Sequence, residues 1–202
     1  MKERPILFNA QMVRALLDGS KTQTRRIMKP APPSDVRDFS TFHNPKGDGL
    51  AHFGFDPDLR ELQSWFAVCP YGQPGDRLWV RETWQAACGD KRAARIVESP
   101  RPDLGWIEYA ATCEDPPPRW RPSIFMFRWA SRITLEIVSV RVERLQDISR
   151  GDAMGEGCPF PNMAQGDDPR QWYADLWEQI NGLGSWALNP WVWVVEFKRI
   201  EP

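Results

Sequence analysis

At 202 residues, with 42% apolar and 26% charged side chains, the chain is long enough to bury a real core and has a globular composition. A formal net charge of −1 argues against broad affinity for a polyanion, because such binding is mostly phosphate neutralisation. The Met1–Phe8 start has no apolar signal-like core and no run reaches transmembrane length, so a cytoplasmic protein without a membrane partner is expected.

Taken in order, Pro5 to Phe8 reads as a first strand. Asn9 reads as the N-cap of a helix that carries Met12, Val13, Leu16 and Leu17 to about Asp18, where Gly19 stops it. A second strand is expected from Thr24 to Met28, closed by Lys29-Pro30. From Ala31 to about Val68, prolines and glycines interrupt every period. That stretch is expected to be an insertion packed down as a lid by Phe39, Phe42, Phe53, Phe55, Trp65 and Phe66.

After the Pro74-Gly75-Asp76 turn, Arg77 to Trp84 alternates as one half-buried strand with Leu78, Val80, Glu82 and Trp84 on one face. A carboxylate on that apolar face is either paired with an arginine or at work in a pocket, and Arg26 is one candidate partner for Glu82. A second, basic insertion is expected at about 86–101, then a strand from Trp106 to Thr112 and a corner at Pro116-Pro117-Pro118.

Ile133 to Leu145 is the clearest strand. Ser149 is the expected N-cap of a short helix to about Gly155, and Pro159 to Pro169 reads as a loop. Arg170 to Ile180 follows as a helix with Trp172, Tyr173, Leu176, Trp177 and Ile180 inward, and Trp191 to Ile200 closes as a strand. The expectation is a single α+β domain, a small mixed β-barrel with short flanking helices and long loop insertions at about 31–68 and 86–101.

The four cysteines, Cys69, Cys88, Cys113 and Cys158, are irregularly spaced without a Cys-x-x-Cys pair. With only His43 and His52 to help, no metal site and no cofactor is expected. The chemistry points elsewhere. In Gly19-Ser20-Lys21-Thr22-Gln23-Thr24-Arg25-Arg26, a lysine stands three residues before a threonine, between a helix end and a strand. Lys21 there is a candidate base beside a candidate nucleophile, Thr24. Strand alternation puts Arg26, and not Arg25, on the Thr24 face, so Arg26 or a backbone amide is the candidate oxyanion partner.

Three stretches resemble one family. Gly19-x-Lys21-x-x-Thr24-x-Arg26, Gly75-Asp76-x-Leu78-x-Val80 and the closing Val194-Val195-Glu196-Phe197 are similar to the ASCH domain, which implies a PUA-like barrel. The longer segments Leu78–Trp84 and Arg128–Ile133 look like ASCH proteins of phages and prophages. At lower identity the chain also resembles small bacterial N4-acetylcytidine amidohydrolases, whose catalytic set is a lysine, a threonine and a glutamate. The lysine and threonine fall on Lys21 and Thr24. The frame from Leu145 to Glu156 fits without a gap and puts the glutamate at Glu156.

The resemblance implies hydrolysis of the N4-acyl bond of a modified cytidine nucleoside. Lys21 would be the base, Thr24 the nucleophile and Glu156 the proton donor or the activator of a hydrolytic water, with no cofactor. Arg26, Glu82, Trp79 and Trp84 are the expected substrate contacts, with Phe197 a further aromatic that could stack a pyrimidine. Three other readings stand beside this one: a PUA-like module that binds RNA or a modified base, a ribonuclease, and a phage accessory protein without chemistry. RNA therefore remains a partner to test; oligomeric state is not legible.

Overall fold

The structure, a computed structural model, describes residues 1–32, 38–42, 50–54, 65–87, 106–114, 119–159 and 168–200. Its centre is a five-stranded sheet in the order β1 (Glu3–Leu7), β6 (Arg77–Arg81), β9 (Thr134–Arg144), β10 (Trp191–Ile200), β2 (Gln23–Ile27). β1 runs parallel to β6, with Ile6 opposite Val80, and the other neighbours are antiparallel. The ladder between β9 and β10 is the longest, broken by a bulge between Glu196 and Phe197.

β10 is buried on both faces, which explains its nearly continuous apolar sequence. Trp193, Val195 and Phe197 join Ile6, Phe8, Val13, Leu16, Leu78 and Leu135 in one core. Val192 and Val194 join Leu145, Ile148, Tyr173, Leu176 and Trp177 in a second. Each fully buried side chain of this kind contributes roughly 1.5–3 kcal/mol relative to exposure.

Among the described residues, three α-helices flank the sheet: α1 (Ala10–Leu17), α2 (Arg150–Gly155) and α3 (Pro169–Asn181). Their ends follow local chemistry. Asn9 Oδ1 accepts from Met12 N at 2.8 Å, and Gly19 just past α1 sits at φ 83°, a region glycine enters without strain. Ser149 and Asp152 form a reciprocal capping box on α2. Asp168 caps α3, with Pro169 in its first turn.

The expected barrel is not closed: among the described residues, no ladder joins the edge strands β1 and β2. The patternless reading of 31–68 is also corrected. β3 (Asp38–Phe42), β4 (Leu50–Gly54) and β5 (Trp65–Val68) form a separate antiparallel sheet. Cross-strand pairing holds them, and no single-strand periodicity reports that. The lid aromatics lie outside the described side chains, as do most of 86–101, the Pro116–Pro118 corner and most of the 159–169 loop.

The single strand expected from Arg77 to Trp84 is two. β6 ends at Arg81, and β7 (Trp84–Ala87) pairs instead with β8 (Trp106–Tyr109). Ile180, expected inward, is 47% exposed on the last turn of α3.

Candidate active site

The turn after α1 and the end of α2 meet across a single β-bridge between Lys21 and Glu156. Thr22 N donates to the Gly155 carbonyl at 2.8 Å, and Phe197 N donates to the Thr22 carbonyl at 2.8 Å, which ties the turn to β10 as well. Gly157 permits this approach. It lies at φ 96°, and a Cβ there would meet Ala15 Cβ at 2.8 Å and Lys21 Cβ at 3.3 Å.

Lys21 and Glu156 are therefore a buried pair. Lys21 Nζ donates to Glu156 Oε2 at 2.8 Å and to the Glu156 carbonyl at 2.9 Å, both side chains being almost wholly inaccessible. Burial pushes the Lys21 amine below its ordinary pKa, the Glu156 charge and hydrogen bond work against that, and Arg26 and Arg25 add to the lowering.

The other carboxylate oxygen, Oε1, accepts from Arg25 Nη1 at 3.2 Å. Arg25 is itself fully buried and also pairs with Glu143 at 2.9 Å and Asp152 at 3.4 Å. Arg141 completes the network, bonded to Asp152 at 2.8 Å and also to Glu143 and Glu196. At Asp152, burial works to raise the carboxyl, but bonds from Ser149 and Gln23 and the Arg25 charge outweigh it and hold the pKa at about 2.

Glu156 opens into a cleft lined also by Thr24, Arg25, Arg26, Tyr173, Trp177 and Ile180. α3 supplies one wall and the edge strand β2 the other. Alternation holds along β2, with Thr24 and Arg26 opposite Val195 and Trp193 on one face and Arg25 opposite Val194 on the other, and because β2 is an edge, residues of both faces reach the cleft. A buried arginine beside Glu156 has no signature in a single sequence, since its three carboxylate partners lie 118 or more residues away.

In this conformation the cleft holds only about 50 Å³, room for a few water molecules. A pyrimidine enters only if side chains of α3 swing aside. Tyr173 is no acid here: burial, with the nearby Glu156 charge, pushes its phenol well above the ordinary value.

The residues expected to act together are distributed unevenly. Lys21 and Glu156 touch, and Thr24, 1% exposed, shares the cleft with Glu156 and Arg26. Lys21 does not line the cleft and donates no hydrogen bond to Thr24. Arg26 donates to the Leu7 carbonyl at 2.6 Å and lies over the Phe8 ring.

Glu82, Trp79 and Trp84 do not line this cleft. Glu82 is held at both oxygens by Arg132, each at 2.9 Å, so its partner is Arg132 and not Arg26. Trp79 stacks under Arg81, and Trp84 is fully buried with Met126 and Ala130. Among the described residues no cluster of three His, Cys, Asp or Glu side chains could hold a metal, and no helix is long and apolar enough to cross a membrane. Comparison with known protein families, curated proteins and solved structures finds no match.

Proposed function

We propose that the chain is an amidohydrolase that removes the acyl group from an N4-acylated cytidine, within a PUA-like ASCH domain. The observation that carries this reading is the wholly buried Lys21–Glu156 pair, with Glu156 and Thr24 lining one cleft. The resemblance of Lys21, Thr24 and the Leu145–Glu156 frame to the small amidohydrolases supports it from the sequence side.

In this mechanism Thr24 Oγ attacks the acyl carbon, and its proton passes to the Lys21–Glu156 pair, with Glu156 as the member in the cleft. The C–N bond breaks as that proton is delivered to N4 of the departing cytosine. Water then hydrolyses the threonyl ester, releasing the carboxylic acid and restoring the hydroxyl. A lysine can accept a proton only when neutral, and desolvation of Lys21 moves it in that direction. Arg25 and Arg26 are among the residues lining the cleft, and their guanidinium groups would stabilise the oxyanion.

The binding-module reading draws on one observation: Lys21 gives its hydrogen bonds to Glu156 and none to Thr24. One assay separates the two. Ultraviolet-monitored conversion of N4-acetylcytidine to cytidine is expected for the wild type, with ~10²-fold or greater loss in Lys21→Ala, Thr24→Ala and Glu156→Ala that remain folded. Binding of the nucleoside or of acetylated RNA without turnover would replace the hydrolase by the module.

A further inference from the structure

From Arg119 to Arg132 the chain carries four arginines, four aromatic residues (Trp120, Phe125, Phe127, Trp129) and no carboxylate. Two of the arginines are engaged, Arg128 with Glu3 and Arg132 with Glu82. Arg119 and Arg121 are in no ion pair among the described residues. The segment is anchored, since Met126 is buried with Trp84 and Ala130, and Trp84 and Arg121 exchange backbone hydrogen bonds of 2.8 and 3.2 Å. Anchoring Met126 leaves Phe125 62% exposed at the end of the short 3-10 turn Ser123–Phe125.

Gln85, Arg119, Trp120, Arg121, Pro122 and Phe125 enclose a partly open pocket of about 420 Å³. It shares no residue with the Thr24 cleft. Gln85 Oε1 is almost wholly inaccessible and has no hydrogen-bond donor among the described residues. An acceptor in that state is unfavourable, so the site gains if the Gln85 side chain turns toward a ligand that brings an N–H group.

We propose that this pocket binds a nucleotide: the base lies against Trp120 and Phe125, a base N–H meets Gln85 Oε1 once that side chain turns into the pocket, and the phosphate meets Arg119 and Arg121. A nucleotide supplies a π face, an N–H edge and an anion together. An acidic peptide would use the arginines and leave the flat rings uncovered. The ligand is either a free nucleotide or one nucleotide of a single strand, since both present the same chemistry. A chain of net charge −1 suits such local capture of one or two phosphates better than a long polyanion track. The inference does not depend on hydrolysis at Thr24.

Isothermal titration of the full chain at about 50 mM salt tests it, with 5′-CMP, cytidine, inorganic phosphate and an oligocytidylate of roughly a dozen residues. CMP is expected to bind at least ~10-fold more tightly than cytidine or phosphate alone. Phe125→Ala is expected to weaken it by about 10-fold or more. Arg119→Ala should weaken CMP while leaving cytidine unchanged. Both substitutions are at exposed positions, and near-ultraviolet circular dichroism checks the fold. Binding of the oligonucleotide alone, with the same losses, assigns the site to a nucleotide within a strand. The proposal is overturned if nothing binds, if binding survives both substitutions, or if it is lost instead in Thr24→Ala, which would move it to the other cleft.

Discussion

Glu156→Gln is the most informative single change, because it separates the two cations that hold one carboxylate. Among the described residues, Lys21 pairs only with Glu156, whereas Arg25 keeps Glu143 and Asp152. The substitution therefore strands a buried ammonium but not the guanidinium. Breaking a buried pair from one side costs about 3–5 kcal/mol. The Glu156 carbonyl, 2.9 Å from Nζ, remains an acceptor and brings the expectation to ~3 kcal/mol.

Lys21→Met should cost less, ~2 kcal/mol, since Arg25 still neutralises Glu156 from 3.2 Å. Removing both partners leaves no stranded charge, so the double variant should cost less than the sum, with a coupling of about 1–3 kcal/mol. Urea unfolding of the four proteins measures this. A loss under ~1 kcal/mol for Glu156→Gln, or additivity within ~0.5 kcal/mol, would refute the buried pair.

The pH dependence gives a second arm. A buried amine with a folded pKa below its unfolded value of 10.5 costs stability at low pH, and the cost lifts as pH rises toward that value. Glu156→Gln removes the carboxylate that opposes the lowering. Its stability should therefore climb more steeply than wild type as pH rises toward 10.5.

Two further outcomes follow from the walls of the cleft and from the network behind it. Ile180→Ala trims a half-exposed side chain at the lining, so stability should fall by no more than ~1 kcal/mol. If the amidohydrolase reading holds, kcat/KM for N4-benzoylcytidine should rise several-fold over that for the acetyl compound; an unchanged ratio would remove α3 from the substrate's path. Asp152, held at about 2 against an ordinary 3.8, contributes stability above about pH 4 that is lost as pH falls toward 2. Solvent screening limits this to ~1 kcal/mol. Asp152→Asn should flatten that part of the Tm–pH curve; an unaltered slope would place the acid sensitivity elsewhere.

Local chemistry was legible in the chain itself. Asn9, Gly19, Ser149 and the apolar periods of α1, α3, β9 and β10 act within a few residues, so the sequence alone marked those elements to within a residue or two. It also marked Lys21, Thr24 and Glu156 as candidates, through a motif and a resemblance. What it could not carry is anything settled by partners distant in the chain. β3–β5 exist because of strand pairing, and among the described residues no ladder joins β1 to β2 to close the sheet. Glu82 belongs to Arg132, 50 residues on, and Trp84 lies inside a separate small core, which takes both away from the cleft. Alternation placed Arg25 correctly on the face opposite Thr24 and Arg26, over Tyr173, but it could not show that both faces of the edge strand β2 reach the cleft. Lys21 and Glu156 stand 135 residues apart, and only the folded chain, with a glycine at 157 to let the backbones close, makes them a pair.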